Sequence, residues 1–319
     1  MAGTLEPVVD ARRRRRTSAV GVADSADSAD RGLLSGADWR RARVRRPMLV
    51  IQTALLVTLV VAGLGPILWL AKSAITPTQD TLRQPMALWP NGMDWENLAT
   101  AWSRVEISHY FLNTVLLALG VWLVQIVVAS TAGFALSVLR PRYGPIITAL
   151  TLATLFVPSV VLLVPLYLTI LDPPLLRMSL INTFWAVWLP AGANAFNLLL
   201  VKRFFDNLPR EIFEAARVDG AGAFRLFTAI VLPMSRPILG VVSVFAIIAS
   251  WKDFLWPMLV LPDPTLQPLS VRLPALQRFI ELDVFLAALA ISTVIPIAIF
   301  LVFQGTFLRS AGLGGALKG

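Results

Sequence analysis

The sequence predicts an all-α integral membrane protein with six transmembrane helices, and three of its features support this fold class. Hydrophobic residues make up 56% of the 319 residues and charged residues 15%, with a mean hydropathy of +0.71, whereas soluble domains are about 25% charged. Six apolar segments approach or exceed the ~20 residues that a helix needs to cross a bilayer. Lysine and arginine are concentrated in alternate connecting segments, as expected when positive charge stays in the cytoplasm.

The six apolar segments define a predicted membrane domain over residues 48–319. Several of them contain proline, including Pro158, Pro190 and Pro257. A spanning helix tolerates proline when neighbouring helices or side chains satisfy the freed carbonyl groups. We therefore predict spans at residues 48–71, 111–139, 146–171, 182–200, 237–261 and 284–308.

Residues 1–47 form a separate compositional zone with eleven arginines and the repeat "ADSADSADR". Apolar periodicity is almost absent here, so we predict a disordered basic tail. A cleaved signal peptide is the competing interpretation. The basic region is too long for one, and the apolar run after Met48 has the length of a full span.

The distribution of positive charge predicts the orientation. With the N-terminus inside, the inside segments carry 21 lysines and arginines and the outside loops carry 6, which favours cytoplasmic N- and C-termini. The loop of residues 202–236 is then cytoplasmic. Because the excess charge follows membrane topology and not a basic groove lined with aromatics, we expect no nucleic-acid partner.

The cytoplasmic loop contains the polar stretch "EIFEAARVDGAGAF", which has local helix signals. Pro209 suits a first helical position and Gly220 suits the residue after a helix end. A second short helix is expected at about residues 223–232, ended by Pro233. Helices shorter than ~12–15 residues are marginal alone, so these pieces need a surface, either on the chain's own membrane domain or on a partner.

The stretch "EAARVDGAGAFRLFTAIVLP" resembles the EAA loop in the membrane subunits of ABC importers. "LLVPLYLTILDPPLLRMSLINTFWAVWLP", "SWKDFLWPMLVLPDPTLQPLSV" and "GALKG" resemble the carbohydrate-type permeases, in particular the maltose G-subunit subgroup. Lys252 stands where that subgroup usually has asparagine. The residues that match the EAA pattern are Glu214, Ala215, Ala216, Asp219, Gly220, Ile230, Leu232 and Pro233.

The resemblance implies a type I ABC importer permease-like fold, with a cytoplasmic coupling helix-turn-helix over residues 202–236. It implies a translocation subunit in the bacterial inner membrane that imports a sugar or oligosaccharide. The implied partners are a cytoplasmic ABC ATPase dimer, a second homologous permease subunit forming a heterodimer, an extracytoplasmic solute-binding protein and membrane lipid. The same machine with another cargo, such as a polyol, glycerol phosphate or a peptide, is the main alternative.

Catalysis by the chain itself is not expected. No Walker A pattern occurs, so ATP would be used by a separate ATPase polypeptide, and the chain would bind no cofactor. The sequence has no cysteine and one histidine, His109, which argues against a thiol or metal centre. We expect a surface or capping role for His109. An intramembrane enzyme and a passive channel are the weaker alternatives.

Five polar or aromatic residues within the spans are candidates for the substrate path: Gln125, Asn194, Asn197, Trp251 and Asp253. Asn194 and Asn197 are three residues apart, which predicts that they share a helix face. Amides can donate to and accept from sugar hydroxyls, but they can equally join helices by hydrogen bonds. Trp251 can stack on a sugar ring or lie in the interfacial aromatic belt, and Asp253 can accept from sugar hydroxyls.

Overall fold

The computed structural model describes residues 42–89, 92–174 and 178–310, which contain helices and no β-strand. The predicted tail up to residue 41 and the C-terminal "GALKG" lie outside the described residues. The helices are α1 Ala42–Ala74, α2 Thr78–Arg83, α3 Glu96–Arg104, α4 Ile107–Phe134, α5 Gly144–Thr154, α6 Leu163–Leu171, α7 Trp185–Ala191, α8 Ala195–Asp206, α9 Arg210–Val218, α10 Ala223–Arg225, α11 Leu232–Met234, α12 Arg236–Lys252, α13 Leu255–Val260, α14 Leu269–Leu276 and α15 Leu282–Ser310. Short π and 3₁₀ turns extend or join some of them.

The chain divides into a first compact unit that ends at Ile67 and a second that begins at Leu68. Helix α1 already includes Ala42 and contains Pro47. Helix α1 therefore begins within the predicted tail of residues 1–47. Arginine is a good helix former, so the end of the arginine-rich segment continues the helix of the apolar run.

Several of the six predicted spans are interrupted in the structure. Among the described residues, two helices are long and apolar enough to cross a membrane alone, Arg46–Ala74 and Ile107–Leu139. Two bent pairs could add one span each: 144–154 with 159–171, bent by 104°, and 223–234 with 236–252, bent by 78°. The predicted fourth span is divided into α7 and α8, and the fifth is interrupted after Lys252.

Helix α4 is the central element of the second unit and packs against α7, α8, α12 and α14. Three buried apolar clusters follow one another along it, around Tyr110, Val121 and Phe134. Gly120 allows close packing with α7, because a Cβ there would lie 2.1 Å from the Trp188 ring. Helix α4 therefore contributes to all three buried clusters and connects them along its length.

His109 has a structural role at the start of α4. Its Nε2 lies 2.7 Å from the carbonyl oxygen of Thr265. Asn113 donates to the same carbonyl at 2.7 Å and to the carbonyl of Gln267 at 3.1 Å. These contacts hold the loop between α13 and α14, as expected for a surface or capping histidine.

Candidate functional site

Helix α9 is a short amphipathic helix with defined ends. It begins at Arg210, directly after Pro209, one residue later than predicted. At its other end Gly220 has φ 77°. The N–H of Gly220 donates to the carbonyl of Arg217, and that of Ala221 donates to the carbonyl of Ala216. This is the Schellman pattern, and glycine is favoured there because a Cβ strains the left-handed conformation.

The two faces of α9 lie in different environments. Phe213 is 7% exposed and Ala216 is 9% exposed, and both belong to the buried cluster that includes Phe205 of α8. Glu214 and Ala215 are exposed. The two adjacent alanines therefore differ: Ala216 packs against the buried cluster, and Ala215 lies on the surface.

The exposed face continues beyond the end of α9. Val218 is 87% exposed and Phe224 is 79% exposed, which is unusual for large apolar side chains. Asp219 and Gly220 between them are exposed too. We call the surface formed by Glu214, Ala215, Val218, Asp219 and Phe224 the α9 surface.

The second piece of the loop departs from the prediction at Pro233. Helix α10 passes into a π turn, Leu226–Val231, and then into α11, which includes Pro233 and ends at Met234. Pro233 thus lies in the first turn of a new α segment, where a missing N–H is tolerated. Ile230 and Leu232 are half-buried, and Pro233 is exposed.

Helix α8 joins the α9 region to the interior of the membrane domain. Asn194 caps its start, accepting from the N–H of Asn197 at 2.9 Å, and it ends at Asp206. Asp206 accepts from Ser137 at 2.7 Å and from Lys202 at 2.8 Å. Partial burial alone would raise the pKa of Asp206, but these hydrogen bonds lower it below its ordinary value.

A cavity of about 440 Å³ lies beside α4, within the size range of small-molecule sites. Three helix breaks contribute polar residues to its wall. Ser159 follows Pro158 at the bend of the predicted third span, Asn194 precedes α8, and Asp253 ends α12. Irregular backbone at membrane depth is tolerated where it lines a cavity, so these breaks have a physical reason.

The structure brings three of the five predicted path residues to the cavity: Gln125, Asn194 and Asp253. Asn197 is buried and donates to Gln125 at 2.6 Å, so it joins α8 to α4 and does not line the cavity. The expectation that Asn194 and Asn197 share a helix face is wrong, because α8 begins after Asn194. Trp251 also lies outside the wall and has an edge contact with Phe111.

The sequence interpretation missed Ser159 and Ser250 in the cavity wall, and it selected Trp251 where the structure places Trp256. Trp256 is held by its indole N–H, which donates to the carbonyl of Ala186 at 2.9 Å. The available signal was the interruption of apolar segments near Pro158 and Gly192, since broken membrane helices often mark a binding site. Within the described residues, no group of three or more His, Cys, Asp or Glu could hold a metal ion.

Comparison with known proteins places these features in a family. The family described as "Binding-protein-dependent transport system inner membrane component" matches residues 125–311. The diacetylchitobiose uptake system permease protein NgcG of Streptomyces coelicolor is 30% identical over 275 residues, covering 84% of this chain and 89% of that protein. The sn-glycerol-3-phosphate transport system permease protein UgpE of Rhizobium meliloti is 28% identical over 255 residues, covering 76% and 89%.

A solved structure supports the fold. It is that of a bacterial ABC transporter involved in the import of the acidic polysaccharide alginate. The TM-score is 0.72 with 19% identity, and the match covers 86% of this chain and 99% of that chain. At this identity the similarity concerns the fold alone.

Proposed function

The chain belongs to the family of binding-protein-dependent transport system inner membrane components, and on that premise we propose that it is the translocation subunit of an ATP-driven importer for a sugar or oligosaccharide. Members of this family are ABC transporter permease subunits of the inner membrane and not enzymes themselves. The function rests on one structural observation: a fixed, two-faced surface helix is joined through α8 to a largely apolar cavity, which has a few polar groups at a set of helix breaks.

The α9 surface is proposed to dock on a cytoplasmic ABC ATPase. Val218 and Phe224 would bury apolar area, and Glu214 would place a negative charge at the edge of the contact. Ala215 would allow close approach of the ATPase. Asp219, Gly220, Ile230, Leu232 and Pro233 would hold the shape of the loop.

Helix α8 is proposed to carry movement of α9 to the cavity. Phe213 and Ala216 fix α9 to the end of α8 at Phe205. The other end of α8 is Asn194 in the cavity wall, 12 residues and about 18 Å away. ATP-driven closure of the docked ATPase would displace α9 and therefore the wall at Asn194.

The chemistry of the cavity favours a neutral, hydroxyl-rich cargo. Gln125, Ser159 and Asn194 supply groups that both donate and accept, and Asp253 supplies an acceptor. Trp256 offers part of an aromatic surface, although it is only 9% exposed. A sugar presents hydroxyls and an apolar ring face, which these groups can contact.

Glycerol phosphate is the second candidate cargo, because it is named for four relatives. The described residues of the cavity wall include Asp253 but no lysine or arginine. A phosphate dianion would meet a like charge there without a counter-ion, which is unfavourable in a low-dielectric site. A neutral sugar avoids that cost.

The remaining parts of the assembly follow from the same proposal. A second permease subunit would complete the translocation path as a heterodimer, and an extracytoplasmic binding protein would deliver the cargo. The membrane domain would cover residues 48–319, with both termini cytoplasmic. The chain would hold no cofactor, and the partner ATPase would use ATP.

Reconstitution with the subunits encoded beside this chain tests the function. Proteoliposomes would be assayed for ATP hydrolysis and for uptake of radiolabelled monosaccharides, disaccharides and glycerol 3-phosphate, each with the binding protein. Uptake of a sugar that needs both ATP and the binding protein is the expected result. Flux without ATP would contradict the mechanism, and uptake of glycerol 3-phosphate alone would contradict the cargo.

A further inference from the structure

A second groove lies between the end of α4 and the start of α5, beside the last residues of α8. Its volume is about 720 Å³, and the proposed transport mechanism does not use it. Three cations line it, Arg140, Arg142 and Lys202, together with one carboxylate, Asp206. The groove therefore carries an excess of positive charge.

The three cations of this groove differ in whether they already have a hydrogen-bond or ion-pair partner. Lys202 is paired with Asp206 at 2.8 Å. Arg140 donates through Nε to the carbonyl of Ser137 at 2.7 Å, which leaves its terminal guanidinium nitrogens for an anion. Arg142 is exposed and has no hydrogen bond or ion pair within the described residues. Two guanidinium groups are thus available in one groove.

The backbone at Arg140 is held in an uncommon conformation. Its φ is 51° and its ψ is 60°, and its N–H closes the π turn by donating to Ala135 at 3.0 Å. A non-glycine residue in this region is strained, and such residues are often retained at functional sites. Here the conformation directs the chain from the end of α4 into the start of α5, so that Arg140 and Arg142 face the same groove.

The groove lies where an apolar, exposed surface begins. Pro145, Ala149 and Leu152 form an apolar part of its wall. Beside it, Ile146 and Leu150 of α5 are more than 60% exposed, and Tyr143 is 61% exposed. Exposed aliphatic side chains fit a lipid-facing surface, and tyrosine is enriched at the membrane–water interface. The cations therefore lie at the edge of an exposed apolar surface, which is the arrangement that a lipid headgroup site requires.

We propose that this groove binds the headgroup of an anionic phospholipid, with Arg140 and Arg142 holding the phosphate and the apolar wall contacting the upper acyl chains. Arginine forks suit the bidentate geometry of a phosphate group. Basic pockets between membrane helices on the cytoplasmic side are known headgroup sites. The assignment of this side to the cytoplasmic leaflet rests on the proposed function, whereas the binding itself does not.

A lipid accounts for the groove better than a soluble anion, because only a lipid would use the apolar wall. The test is a titration of short-chain phosphatidylglycerol onto the purified full-length chain in detergent, with bound lipid counted by native mass spectrometry. Parallel titrations use short-chain phosphatidylcholine and inorganic phosphate. Each arginine near a membrane surface contributes about a fivefold gain in affinity for anionic lipid, so Arg142→Gln should weaken binding about fivefold and the double variant with Arg140→Gln roughly thirtyfold.

Arg203→Gln is the matched control, because Arg203 is an exposed arginine on α8 that does not line the groove. It should leave phosphatidylglycerol binding unchanged, and Arg142→Lys should retain most of it. Equal binding of the two lipids, or equal effects of the Arg142 and Arg203 variants, would overturn the proposal. Binding of inorganic phosphate with the same variant dependence would assign the groove to a soluble anion instead.

A further experiment distinguishes a lipid bound in the groove from a protein bound there. Because the sequence has no cysteine, Thr148→Cys gives a single site for a maleimide label in the groove wall and leaves both arginines in place. Slower labelling in phosphatidylglycerol vesicles than in phosphatidylcholine vesicles supports the lipid. Protection that appears only when the ATPase is added would overturn it. None of these binding measurements depends on uptake. Failure of the lipid proposal can therefore be distinguished from failure of the proposed transport function.

Discussion

The α9 surface and the cavity beside α4 are two proposed functional regions at opposite ends of one helix, α8. The α9 surface comes from a single stretch of the sequence, within residues 214–224. The cavity wall comes from four separated segments, and three of its polar residues, Ser159, Asn194 and Asp253, lie at helix breaks. A local hydrogen-bond pattern can be recognised in sequence, whereas a long-range assembly depends on where each helix is interrupted.

The largest effect is expected from Gly220→Pro, which should abolish uptake while membrane insertion remains. Gly220 has φ 77°, whereas proline fixes φ near about −65° and removes the N–H that donates to Arg217. A cost of about 3 kcal/mol or more corresponds to roughly a hundredfold loss of the correctly shaped loop. ATP-dependent uptake in vesicles with a membrane-fraction blot measures it.

The matched control is Gly222→Ala, because Gly222 has φ −70° and open space around its Cα. It should transport normally. Glu214→Arg is a second variant that reverses an exposed charge without straining the backbone, and it should also block uptake. Normal uptake in both Gly220→Pro and Glu214→Arg would remove α9 from the mechanism.

Phe213→Ala and Val218→Ala compare a buried and an exposed apolar side chain on the same helix. Phe213→Ala should destabilise the protein by about 3–5 kcal/mol, because it leaves a cavity in the inner cluster. Val218→Ala should change stability by less than about 0.5 kcal/mol but weaken ATPase binding. Thermal unfolding in detergent and ATPase co-purification measure the two effects. Equal destabilisation would show that the assignment of the two faces is wrong.

Asp253→Leu should raise the KM for cargo uptake and leave ATPase binding unchanged. Loss of a hydrogen bond to a charged group costs about 1.5–3 kcal/mol, which predicts roughly a tenfold to hundredfold rise in KM for uptake. Asp172→Asn is the control, since Asp172 lies at the end of α6 and outside the cavity wall. If the two variants transport alike, Asp253 is structural.

The smallest effects should separate the two asparagines near the start of α8. Asn197→Ala removes the hydrogen bond to Gln125 and should cost about 1 kcal/mol of stability, with little change in KM. Asn194→Leu changes the cavity wall and should raise KM. Uptake kinetics and thermal unfolding of both variants decide it. A larger KM effect from Asn197→Ala would reverse their roles.

The difference between the two regions also explains what the sequence could predict. The left-handed Gly220 after α9 and the exposed Glu214 follow from signals within a few residues. The break before α8 does not follow so directly, because the apolar segment of residues 182–200 is long enough for a span, and a span can tolerate Pro190. Of the polar candidates that the sequence suggests, Asp253 lies in the cavity wall. Asn197 does not, because its side chain faces α4 when the helix restarts at Ala195.

The sequence also does not show which of the two adjacent alanines of α9 is buried. Ala215 and Ala216 are identical residues in one motif, and both fit a helix that is approached closely by a partner. Only the packing of Ala216 against the cluster of Phe205 and Phe213 distinguishes them. The sequence left a self-packed loop and a docking helix as alternatives, and in the structure α9 packs one face on its own domain and leaves the other exposed.

The central claim is that Ala215 faces the ATPase while Ala216 faces the membrane domain. In the cysteine-free chain, Ala215→Cys and Ala216→Cys are each labelled with a membrane-impermeant maleimide in inside-out vesicles, before and after adding the ATPase. We predict fast labelling of the Ala215→Cys variant that the ATPase slows strongly, and slow labelling of the Ala216→Cys variant in both states. Equal labelling of the two variants, or no protection by the ATPase at Ala215→Cys, would contradict the account.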